Sequence, residues 1–91
     1  MKMLEWKKTE SREMNWPEAK SLEIDGWRLP TRAELINAFD EQVKGFEPYS
    51  YWSSTVFLNT SKFSGWTINF DDYGRTCESH ISCLNHVRLC K

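Results

Sequence analysis

Ninety-one residues make one domain with room for a single core. A net charge of −1 and a pI near 6.1 exclude general affinity for nucleic acid or anionic membranes, and also a strongly acidic DNA mimic. The hydrophobic fraction of 40% and charged fraction of 27% are those of a soluble globular chain, and no stretch approaches the ~20 apolar residues of a membrane helix. Five tryptophans, five phenylalanines and three tyrosines are many for this length. Each can bury roughly 150–250 Å², so a few large side chains can stand in for a deep aliphatic core.

Met3 to Lys7 reads as a short first strand, with Leu4 and Trp6 separated by a charge. Lys7 and Lys8 follow where a signal peptide would place its apolar run, so a cytoplasmic location is expected. Lys8 to Glu13 is a polar loop. Asn15-Trp16-Pro17-Glu18 then has the form of a helix start: an Asn cap, a proline in the first turn, and Glu three residues after the cap. Trp16, Ala19 and Lys20 share one side of that helix.

The stretch from Asp25 to Leu35 organises the chain. Gly26 supplies a turn, and Trp27 and Leu29 alternate with Arg28 as an extended segment with one buried face would. Pro30 holds Leu29 away from helical angles. Thr31 and Glu34 form a capping box, and Leu35, Ile36 and Phe39 give the helix that follows, to about Gln42, an apolar stripe. Val43 to Ser50 is a loop broken by Gly45 and Pro48. Tyr51 to Phe57 is a strand rich in β-branched and aromatic residues, and Asn59 to Gly65 a polar turn region. Trp66 to Phe70 alternates strictly and is the clearest strand. Asp71-Asp72-Tyr73-Gly74 is a tight turn from which Arg75 onward returns antiparallel. Val87-Arg88-Leu89 closes the chain as a last strand.

The order Trp6, Asn15-Trp16-Pro17-Glu18-Ala19, Gly26-Trp27-Arg28-Leu29-Pro30-Thr31, Glu34-Leu35, Tyr51-Trp52-Ser53-Ser54-Thr55, Trp66 with Phe70, and Val87-Arg88 resembles the Lcl C-terminal domain family over almost the whole chain. The resemblance implies an α+β fold of the C-type-lectin-like kind, with two short helices around a twisted antiparallel sheet. It also implies a bacterial or phage-associated setting, and an adhesin of the family binds sulfated polysaccharide. The chain departs from the family pattern in lacking a cysteine in its first helix and in carrying Leu89 where a cysteine is common, with Cys90 displaced by one. We expect a stand-alone intracellular relative rather than a surface adhesin.

Trp16, Trp27, Leu29, Thr31, Glu34, Trp52, Trp66 and Phe70 are read as structural, the large aromatics through burial. Arg28, beside apolar neighbours, is expected to pair with a carboxylate or a backbone carbonyl. Ser53, Ser54 and Thr55 have no histidine or acid at a catalytic spacing, so their hydroxyls should bond to neighbours and no catalytic residue is expected. Glu47-Pro48-Tyr49 lacks the oxygen-rich partner a calcium–sugar site needs. Cys77, His80, Cys83 and His86 fall every three residues. These are zinc-ligand types, but an even spacing of three scatters them over both faces of a strand, and neither metal nor cofactor is expected. Three cysteines, all late in the chain, suit free thiols.

Binding remains. Phe46, Tyr49, Tyr51, Phe63 and Tyr73 exceed what the core needs, and Asp71, Asp72 and Arg75 can form a polar rim around them. The expected function is a non-enzymatic protein-binding module, of the kind a phage or mobile element uses to inhibit or modulate a bacterial protein complex. The alternatives are a calcium-free polysaccharide-binding module and a small zinc-binding protein.

Overall fold

The computed structural model of the protein describes residues 4–59 and 62–91. The two helix starts are built as their sequences require. Asn15 caps α1 (Trp16–Ser21), its side chain accepting from Glu18 N at 3.0 Å while the Glu18 carboxylate reaches back to Asn15 N. Thr31 caps α2 (Arg32–Asp40) by the same reciprocal pair with Glu34, at 3.1 and 2.8 Å. These contacts satisfy amide donors that have no partner inside a helix. Helix α2 ends two residues before the expected Gln42. There Gln42 takes a left-handed conformation (φ 54°), with Gln42 N donating to Phe39 O and Val43 N to Ala38 O. That is a Schellman ending with glutamine at the position glycine usually fills.

Three antiparallel strands follow in the order β1 (Ser50–Asn59), β2 (Lys62–Asn69), β3 (Arg75–His80). The domain is therefore α+β, two short helices and one small sheet. Strands β1 and β2 run further into the expected turn region, pairing Asn59 with Lys62, and the hairpin tip lies outside the described residues. Phe70, expected on a strand, is the first residue of the turn after β2. No helix among the described residues is long and apolar enough to cross a membrane.

Adjacent strand residues point to opposite faces, and β1 uses this to divide the core. Tyr51 packs with Leu35 and Ile68, edged by Trp6, Ile36, Phe46 and Phe70. Trp52 packs with Met14, Ala19, Leu29, Val87 and Leu89, edged by Trp16, Leu22 and Trp27. The register then shifts between Trp52 and Val56. In that bulge Ser54 N donates to Pro30 O at 2.8 Å, and Thr55 Oγ1 accepts from Arg32 N at 3.0 Å. Ser53, fully buried, donates to Trp66 O at 2.7 Å. The bulge thus completes the start of α2 and ties the two most distinctive sequence motifs together. Gly65 sits across from it, and a Cβ there would lie 2.9 Å from the Trp52 ring and 3.2 Å from Trp16. A strand glycine here marks the close approach of two indoles.

Two expected strands are shorter than strands. Trp6 and Arg28 each form a single bridge to Cys90, one on either side, and Met3 lies outside the described residues. The segment from His86 to Lys91, buried from Val87 to Cys90, is held between the segments at 5–10, 28 and 50–52. It is a central tie rather than a member of the sheet, because three different segments share its backbone groups. Trp27, expected in the core, is half-buried. It packs against the Trp52 cluster while Lys91 and Lys7 stand 4.6 and 5.6 Å from its ring centre. Trp66 is likewise half-buried, with the Arg32 guanidinium 4.3 Å from its ring centre.

Arg28 meets Glu34 through two parallel contacts of 2.7 and 2.8 Å. Hydrogen bonding from Arg28, aided by Thr31, holds the Glu34 carboxyl below the usual range. A carboxylate with a depressed folded value stabilises the fold above its unfolded pKa of about 4.3, and that contribution fades as pH falls through the folded value. Acid titration of the denaturation midpoint should therefore be shallower below pH ~4.3 for Glu34→Gln than for the natural chain. Parallel curves would show that the Arg28–Glu34 pair does not drive the acid loss.

Candidate functional site

The turn after β2 is wired to hold one side chain out. Asn69 Oδ1 accepts from Asp71 N at 2.9 Å, and Asn69 O accepts from Gly74 N at 3.0 Å. Asp72 pairs with Arg75 at 3.0 Å. Within this frame Tyr73 has φ 52° and is 93% exposed. A bulky L-residue held left-handed is an outlier that the surrounding turn must enforce. Gly74 follows at φ 70° with its α-carbon against the Phe39 ring, where a Cβ would come within 2.6 Å.

Phe39 leads directly into a cavity of about 310 Å³ between the end of α2, the following loop and this turn. Phe46 and Phe70 form its aromatic wall, stacked at 4.3 Å and 4°. Phe39 meets Phe70 edge-on at 5.6 Å, and Gln42, Val43 and Pro48 complete the lining. Gln42, also left-handed, lines this cavity, and Tyr73 stands in the neighbouring turn. Exposed Asp40, Glu41, Glu47 and Asp71 give the surroundings a negative cast. The combination is an apolar recess, a projecting aromatic in the adjoining turn and exposed carboxylates on the flanking segments.

The eight residues singled out for partner binding do not form one surface. Phe46 lines this recess, while Asp71, Asp72, Tyr73 and Arg75 belong to the turn after β2 and its exit, which meets the recess where Gly74 lies against Phe39. Tyr51 is a correction: it is fully buried beneath it, its hydroxyl accepting from Glu47 N at 2.9 Å and lying 3.1 Å from Thr9 Oγ1. Its hydroxyl has protein partners on both sides, so the whole ring can be buried. Phe63 lies at the other end of β2, 6.0 Å from Trp16. Tyr49 stacks on His86 at 3.9 Å in a separate groove. Phe39, read from sequence only as part of a core stripe, belongs to the recess; its spacing of four from Leu35 gives no hint that it serves both.

The late Cys/His run is dispersed. Cys77 and His80 are separated by three on β3, the His80 ring meets Ser82 Oγ at 2.7 Å, and His86 lies under Tyr49. Among the described residues no group of three or more His, Cys, Asp or Glu could hold a metal ion. All three cysteines are free thiols, with Cys77 and Cys83 exposed and burial pushing Cys90 up to about 11. Neither a family model nor a curated protein matches the chain.

Proposed function

We propose that the chain is a non-enzymatic protein-binding module whose fold is of the C-type-lectin-like kind, and that Tyr73 is its leading contact. The observation that carries the reading is the 93% exposed ring held in a left-handed turn beside the Phe39–Phe46–Phe70 recess. Backbone strain at a projecting aromatic is retained where presenting that ring outweighs relaxing the turn. The partner is a protein with an apolar side chain for the recess and basic residues facing the exposed carboxylates on the flanking segments. Modulating a bacterial protein complex on behalf of a phage or mobile element is the setting that the resemblance to the Lcl C-terminal domain family favours.

A photocrosslinking phenylalanine analogue in place of Tyr73, introduced in the native host, should capture a protein. The same analogue in place of exposed Leu84 should not. Tyr73→Asn should reduce capture by about tenfold or more, as loss of an aromatic anchor does. Its melting temperature should hold or rise, because asparagine tolerates the left-handed region better than tyrosine. Equal capture from both positions, or saturable glycan binding without a protein crosslink, would overturn this reading and favour the polysaccharide alternative.

A further inference from the structure

A second concavity lies apart from the Tyr73 recess. It is a groove of about 660 Å³ between the polar segment at 8–11, the loop at 45–49 and His86, with Arg88 among its lining residues. Arg88 is only 8% exposed. Its Nε donates to Lys7 O at 2.6 Å and its Nη1 to Lys44 O at 2.9 Å, while the rings of Phe46 and Trp6 lie 4.5 and 5.5 Å away. These contacts explain how the side chain is positioned, but they do not neutralise it. No carboxylate pairs with it among the described residues, and its Nη2 has no hydrogen-bond partner among them. Burial accordingly pushes the guanidinium below its ordinary value. Buried charges are ordinarily paired, so an arginine like this one is short of an anion.

The groove walls define what kind of anion fits. Gly45, at φ 98°, lets the guanidinium lie against its backbone, since a Cβ there would come within 3.0 Å of Nη2 and 3.1 Å of Nη1. The stacked Tyr49 and His86 rings supply a flat apolar wall, and Tyr49 is 43% exposed. Lys8 adds a second cation at the edge, whereas Glu10 and Glu47 line the same groove with negative charge. Those carboxylates repel a dianion or a polyanion more strongly than a single charge. We propose that this groove is a binding site for a small monocarboxylate with a planar apolar body, its carboxylate on Arg88 and its body against the Tyr49–His86 stack. The contact is a charge-assisted hydrogen bond with two acceptor oxygens to offer, the strong class of such interactions.

Titration of the full chain with sodium benzoate, followed by amide and indole NMR shifts, tests the site independently of Tyr73. Saturable shifts are expected at Lys8, Lys44, Gly45 and the Trp6 indole. Inorganic phosphate at matched ionic strength should not saturate. Arg88→Gln should abolish the benzoate response. Because that variant also loses two backbone contacts, the surface variant Tyr49→Ala provides a second reading and should weaken benzoate about threefold to tenfold. No saturable response to benzoate, tighter binding of phosphate, or unchanged affinity in Tyr49→Ala would each overturn the assignment.

Discussion

Replacing Trp52 with alanine should remove most of the stability of the domain. The side chain is fully buried between the Met14–Leu29–Leu89 cluster and the Gly65 strand, and its indole N–H donates to Met14 O at 2.8 Å. Loss of a buried tryptophan costs roughly 3–5 kcal/mol through transfer and cavity terms. Loss of the indole hydrogen bond adds about 0.5–1.5 kcal/mol, the Met14 carbonyl keeping Asn85 N as a partner at 3.0 Å. Against a total of about 5–15 kcal/mol for a small domain, little remains. Trp27→Ala should lose clearly less, since Trp27 is half-buried and its ring face is covered by lysine side chains that can move. Urea denaturation midpoints measure both. A Trp27→Ala loss equal to or greater than that of Trp52→Ala would invert the order of burial on which this expectation stands.

The features that were legible in the sequence are those set by near neighbours. Both capping boxes use residues three apart, so Asn15–Glu18 and Thr31–Glu34 could be read directly, and the same holds for the Asp71–Gly74 turn. Arg28 met a carboxylate as its apolar surroundings required, although its partner Glu34 was already assigned to the cap. Contacts set by the whole fold were less legible. Val87 to Cys90 alternates like a strand, yet its backbone is shared among distant segments, which no local pattern encodes. Tyr49 and Tyr51 stand two apart, and the sequence offers both as partner contacts. The onset of β1 at Ser50 and the hydroxyl contacts to Thr9 and Glu47 bury Tyr51, whereas Tyr49 remains half-exposed. Tryptophan usually packs in a core, but basic side chains cover the faces of Trp27 and Trp66 instead. Arg88 is legible as a motif residue but not as a charge lacking a carboxylate partner among the described residues, since that lack is a property of its surroundings.

Gly74→Ala should damage the fold and the proposed contact surface together. Two penalties fall on one methyl group. An alanine at φ 70° sits in the left-handed region, which costs an L-residue about 1–2 kcal/mol. Its Cβ would also stand 2.6 Å from Phe39 Cδ2 and 2.8 Å from Cγ, closer than packed carbons tolerate. Relief requires the Phe39 ring or the turn to move, and overpacking of this kind costs roughly 1–3 kcal/mol. Phe39 contacts Phe70 and lines the recess, so its displacement changes the cavity, and a shifted turn re-aims Tyr73. The denaturation midpoint should drop, and the ring resonances of Phe39 and Phe70 should move with it. Partner capture should fall further than the fraction unfolded explains. Tyr73→Asn provides the contrast, with capture lost and the midpoint held. A Gly74→Ala protein with an unchanged midpoint and unmoved Phe39 resonances would mean the turn relaxes freely, and Tyr73 would then have no rigid frame from which to be presented.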